Sequence, residues 1–172
     1  SPDGFQLSDL RLGLRGRVLG QGTDAFQLAV GGYIWFPTGN GDPGSFVGDG
    51  TVRGLPQVMV GGYLDRLVYS AAIGPEFRQD TKIANASQGM MFQGSAGAGY
   101  MLGESRALQV GGEISFATVL TDATSRNTNF ELMVDAKYRV HRLVEVGLGV
   151  APGLARGIGT PDIRVVAMAA YV

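Results

Sequence analysis

Cysteine is absent from this chain of 172 residues, histidine occurs once, and the only lysines are Lys82 and Lys137. The first absence removes disulfide frameworks, thiolate metal sites and cysteine nucleophiles together. With one histidine as well, a transition-metal site has almost no donors to draw on. No apolar run reaches the roughly 18 residues of a membrane-spanning helix, no segment carries helical periodicity, and no signal peptide is recognisable. Formal net charge is −1, so nothing electrostatic points to nucleic acid as a partner.

Glycine is plentiful, at 28 residues, more than double the usual share of about 7%. It falls inside alternating runs as well as between them. The clearest of these runs is Asn129 to Leu154. Phe130, Leu132, Val134, Ala136, Tyr138 and Val140 form one apolar row at spacing two, and Glu131, Met133, Asp135, Lys137 and Arg139 form the other. After a His141-Arg142 corner the pattern resumes, with Val144, Val146, Leu148 and Val150 against Glu145, Gly147, Gly149 and Ala151. This is a hairpin with one apolar and one charged face.

Seven further strands of the same kind can be read along the chain. Strands are predicted from Leu10 to Val18, Phe26 to Phe36, Arg53 to Leu64, Leu67 to Arg78, Met90 to Leu102, from Leu108 through Phe116, through the two arms of the hairpin, and from Ile163 to Val172. The phase of the third strand is ambiguous near Tyr63, where a bulge is expected. Gln79 to Gln88 reads as a polar loop. Similar hairpins recur around Tyr63, Tyr100 and Tyr138, 37 to 38 residues apart, which supports simple up-and-down order. The expectation is a single all-β domain over residues 1–172, an antiparallel up-and-down barrel with about nine strands in this chain.

Which solvent the apolar face meets is the next question. Connections alternate short and long, as the turns and loops of bacterial outer-membrane barrels do. Aromatics bracket the apolar rows: Phe26 and Phe36, Tyr69 and Phe77, Phe92 and Tyr100, Phe130 and Tyr138, with Phe116 and Tyr171 on the same scheme. Eight residues at about 3.3 Å span roughly 26 Å. A tilt near 40° reduces that to about 20 Å, close to the apolar band of such barrels. Tyrosine takes the short-turn end and phenylalanine the long-loop end, Phe26 excepted. These residues predict two aromatic girdles facing lipid.

The other face predicts a polar lumen lined by Arg11, Arg15, Arg17, Glu76, Arg78, Glu113, Glu131, Asp135, Lys137, Arg139 and Glu145. In a dry soluble core such charges are costly unless paired. Pairing of Arg11, Arg15 and Arg17 with Glu76, Glu113, Glu131 and Asp135 would plug the lumen, whereas segregation to opposite walls would leave a small pore. The competing class is a soluble β-barrel carrying an apolar ligand. Because single-chain bacterial barrels usually have an even strand number, nine strands predict a barrel of ten or twelve with upstream strands outside this chain.

Ser8-Asp-Leu-Arg-Leu-Gly-Leu-Arg15, Asp49-Gly-Thr51 running into Val52-Arg-Gly-Leu-Pro56, Gly99-Tyr-Met-Leu-Gly103 and Arg156-Gly-Ile-Gly-Thr-Pro-Asp162 resemble the N-terminal β-barrel portion of OmpA-family outer-membrane proteins of Gram-negative bacteria. The resemblance implies an envelope-anchoring or porin-like role in the outer membrane, with the lipid bilayer as partner, and a peptidoglycan-binding domain elsewhere in the full-length protein. It brings no catalytic residues and no cofactor.

Other motifs have plain readings. His141 is expected to be a solvated turn residue. Gly147-Leu-Gly149-Val-Ala-Pro-Gly153 has the wrong spacing for a dinucleotide fingerprint and no following helix. Asn40, Asp42 and Asp49 lack the spacing of a calcium loop. No metal, cofactor or enzymatic activity is expected.

Overall fold

The computed structural model describes residues 7–39, 50–83, 86–120, 128–152 and 163–171. Nine strands form one antiparallel sheet: β1 (Leu10–Leu19), β2 (Gln27–Phe36), β3 (Arg53–Leu64), β4 (Leu67–Glu76), β7 (Met91–Leu102), β8 (Leu108–Val119), β9 (Thr128–His141), β10 (Val144–Pro152) and β11 (Ile163–Tyr171). Each strand of this sheet pairs with its sequence neighbour in the order β1-β2-β3-β4-β7-β8-β9-β10-β11. The predicted bounds and the up-and-down order agree with this arrangement. The sheet is open, since β1 and β11 are not paired with each other.

Between β4 and β7 the chain makes a separate hairpin, β5 (Thr81–Ile83) with β6 (Ala86–Gln88). It lies where a polar loop was expected. Strands of three residues are too short for alternation to show in sequence.

The bulge expected near Tyr63 is absent: β3 and β4 keep one register from Val58↔Ile73 to Leu64↔Leu67. Register shifts occur instead between Arg17 and Leu19 and between Val144 and Glu145, both beside short turns. Beyond Val58 the β3–β4 ladder is interrupted and resumes at Gly54 and Phe77, whose amides and carbonyls bond reciprocally at 3.0 and 2.7 Å. The intact register would set Pro56 opposite Pro75. Neither has an N–H, and alternation of bonded and non-bonded pairs makes theirs a bonded position. Both missing donors therefore fall in one ring, and the ladder is whole on either side.

Two-residue connections join β3 to β4 and β9 to β10. Asp65 in the first has φ +55°, and Arg106, after β7, has φ +51°. The β3–β4 and β7–β8 turns are stitched together: Arg106 Nη2 donates to Asp65 Oδ1 at 2.6 Å and Arg66 Nη1 to the Gly103 carbonyl at 2.7 Å. The β9–β10 turn is Arg142-Leu143, one residue later than expected, so His141 ends β9 rather than forming the corner.

The sheet curls. Gln57 of β3, Gln93 of β7, Glu131 of β9 and Arg164 of β11 line one cavity of about 220 Å³. On the inner face lie the buried apolar residues Leu55, Val119 and Ala151 and the buried acids Glu76 and Asp135, only 6% and 7% exposed. The outer face is the apolar one and the exposed one, with Leu14 at 84%, Leu148 at 66% and Val134 at 58%. This inverts the usual soluble distribution.

Candidate functional site

Ladder registers fix which residues share the inner face. Arg11 pairs with Trp35 and Trp35 with Arg53; Glu76 with Met91; Gly97 with Glu113; Gln109 with Lys137; Ser115 with Glu131; Arg139 with Glu145; Gly149 with Asp135. Period-two alternation then carries Arg15 and Arg17 to the face of Arg11. Arg78 follows Glu76 by two residues, and its Nη1 lies 4.0 Å from Glu76 Oε1. All the charged residues expected in the lumen therefore share one face. The aromatics expected in the girdles take the other: Phe116 stands opposite Phe130, Tyr100 opposite Leu67, Tyr138 opposite Leu108, and Tyr171 opposite Val144. Phe36 stands opposite Leu10, Tyr69 opposite Ala98, Phe92 opposite Pro75, and Phe77 at the Gly54 bridge. Phe26 sits just before β2 and is exposed. Phe92 and Phe116, with ring centroids 6.0 Å apart, flank Gly94 on this outer side.

The charged side chains form separate groups rather than one plug. At the long-loop end, Glu76 Oε1 lies 3.4 Å from Arg53 Nη1, and Glu76 Oε2 accepts from Gln93 Nε2 at 2.7 Å. Arg53 also lies 4.0 Å from Asp9 Oδ2, and its guanidinium stacks 4.9 Å from the Trp35 ring. Arg11 covers Tyr33 at 5.0 Å and Trp35 at 6.0 Å. A polar and aromatic band thus crosses from β1 to β7.

Further round, Lys137 Nζ sits 3.0 Å from Asp135 Oδ2 and 3.2 Å from Glu113 Oε1. Arg164 reaches over β10 to Glu131 at 2.9 Å, and Arg139 lies 3.7 Å from Glu145. The acids are thereby matched to Arg53, Arg78, Lys137, Arg139 and Arg164. Among the described residues, none pairs with Arg11, Arg15 or Arg17, as a plug built from β1 would require.

Inner-face glycines let the long side chains lie flat. A Cβ on Gly97 would be 2.9 Å from Glu113 Cγ, and one on Gly147 would be 3.2 Å from Lys137 Cγ. A Gly97→Val change should lift Glu113 off the sheet and away from Lys137. The expected cost is about 1–3 kcal/mol, measured by urea unfolding in detergent micelles. Gly16→Val is the control, since nothing lies within 4 Å of its added Cβ; its effect should stay within about 0.5 kcal/mol.

A cavity of about 590 Å³ lies against β1 to β4 and β7 near the short turns. Arg15, Arg17, Gln27, Met59, Tyr63, Val68, Ser70 and Ser95 are among its lining residues. Among the described residues, no cluster of histidine, cysteine, aspartate or glutamate could hold a metal. Asn40, Asp42, Asp49 and Gly153 lie outside the described residues; Gly147 and Gly149 are ordinary β10 residues. Among the described residues, no helix is long and apolar enough to cross a membrane, which says nothing of strands.

Fold and face together define a class: an all-β, up-and-down antiparallel protein that exposes its apolar side and turns its charged side inward. Within that class the chain belongs to the family described as "Putative MetA-pathway of phenol degradation", whose model matches residues 1–151. No curated protein matches the chain. The family's description does not name OmpA.

Sequence reasoning overlooked Asp9, Arg53 and Arg164 as members of the inner charged set. Arg53 was findable by counting back in twos from Gln57 through Leu55, but the apolar members of that row hide it. Arg164 sits in a strand apolar on both faces, where alternation gives no phase.

Proposed function

We propose that this chain is a transmembrane β-barrel of the bacterial outer membrane whose polar lumen passes small solutes. The observation that carries this reading is the inverted burial: acids on the covered face, aliphatic and aromatic side chains on the open one. In water the exposed apolar rows of nine strands would make a very large sticky patch, whereas in lipid they are the solvated surface. An apolar-ligand carrier needs its apolar face inside, opposite to what is seen here. The family's description supports small aromatic compounds of phenol catabolism as the solutes. The likeness to OmpA-family barrels supports architecture, and with it a second role: envelope anchoring alongside a peptidoglycan-binding domain in the full-length protein. The ion-paired Arg53–Glu76–Arg78 group at the long-loop end favours that role. Neither role involves catalysis.

Protein refolded in detergent is expected to migrate differently before and after boiling, and to give discrete conductance steps in a planar bilayer. Solubility without detergent, with no shift on boiling, would favour the soluble carrier. A shift without steps would favour the anchor over the channel.

A further inference from the structure

The inner face carries two kinds of basic residue. Those beyond β2 have acids: Glu76 is matched to Arg53 and Arg78, Glu113 and Asp135 to Lys137, Glu131 to Arg164, Glu145 to Arg139. Arg15 and Arg17 differ. Among the described residues neither makes an ion pair or a hydrogen bond, and neither has an aromatic ring beneath it, as Arg11 has. They stand two residues apart on one face of β1, about 6.6 Å along the strand, and both line the 590 Å³ cavity.

The far wall of that cavity is mixed. Met59, Tyr63 and Val68 present apolar surface, while Gln27, Ser70 and Ser95 present neutral hydrogen-bonding groups. No acid lines it. Two like charges in one row repel, and an anion between them relieves that repulsion. A guanidinium offers paired N–H groups matched in spacing to the two oxygens of a carboxylate. The apolar wall opposite suits a hydrocarbon body.

We propose that Arg15 and Arg17 form an organic-carboxylate site in the lumen, the carboxylate held by the guanidinium groups and an aromatic or short alkyl body resting on Met59, Tyr63 and Val68. This deepens the reading of a solute-passing barrel and rests on it, since it makes small organic acids the favoured solutes. Clustering of the unmatched positive charge on one wall gives the lumen anion preference as well.

The test uses the refolded chain in detergent, with isothermal titration of benzoate, benzamide and inorganic phosphate. Benzoate should bind, and benzamide and phosphate should each bind at least tenfold more weakly. Arg15→Gln/Arg17→Gln should lose benzoate at least tenfold, while Arg139→Gln, on a different pair, should leave it within twofold. Circular dichroism and the boiling shift confirm that each variant is folded. Equal binding of benzamide, equal binding of phosphate, or unchanged benzoate affinity in the folded double variant would each overturn the site. Bilayer recordings separate this from the underlying reading. Steps without benzoate binding refute the site alone; benzoate binding without steps upholds the site and refutes passage.

Discussion

Replacing Leu148 by arginine is expected to cost the folded protein about 2–4 kcal/mol if the outer face meets lipid as proposed, the penalty of a cation near the bilayer midplane. Leu148 lies midway along β10, between Ala136 of β9 and Ala167 of β11, on the outer face. It is already well exposed, so in a soluble protein the same change would fall within about 0.5 kcal/mol. The two environments thus predict effects several-fold apart for one substitution. Reversible urea unfolding in lipid vesicles measures it, with Val144→Arg beside the short turn as the depth control. Its cost should drop to about 0–1 kcal/mol, because charges near the interface reach headgroups and water. A small and equal effect at both positions would remove lipid as the solvent of this face.

The second large effect is expected at Glu76. Its carboxylate joins Arg53, Arg78 and Gln93 while almost wholly covered. Removing one partner of a buried group leaves charge without compensation, and losses of about 3–5 kcal/mol follow. Against a total stability of about 5–15 kcal/mol, Glu76→Ala should fold incompletely or unfold at much lower urea. Glu76→Gln keeps an acceptor and the shape but no charge, and should lose roughly half as much. If alanine and glutamine behave alike within about 0.5 kcal/mol of the parent, the group is incidental to stability. Where the variants fold, wider conductance steps for alanine would show that this band sets the narrowest point of the lumen.

Strand existence, order and facing were legible because alternation over eight or more residues is a strong signal and each strand pairs with its neighbour in sequence. The pairing of Phe116 with Phe130 follows from that order almost automatically. Charge partners were not legible. Whether Asp135 meets Lys137 or an arginine of β1 depends on register to within one residue and on how tightly the sheet curls, and the bulges at Arg17 and Val144 alter both locally. Arg164 reaching across β10 to Glu131 is a diagonal contact that no linear spacing encodes. The cavity under Arg15 and Arg17 has the same origin: it exists because small residues such as Ala29, Gly61, Ala72 and Ser95 happen to face one another on four strands.

The strand count has a directional consequence. With nine strands alternating in direction, the free edges of β1 and β11 run the same way. A seam joining them directly would be parallel, its bonds slanted and slightly weaker per residue than those of the eight antiparallel ladders. An antiparallel seam needs a strand of opposite polarity inserted between them. Either way the line between β1 and β11 differs in kind from the rest of the wall, and Arg15 and Arg17 stand directly beside it.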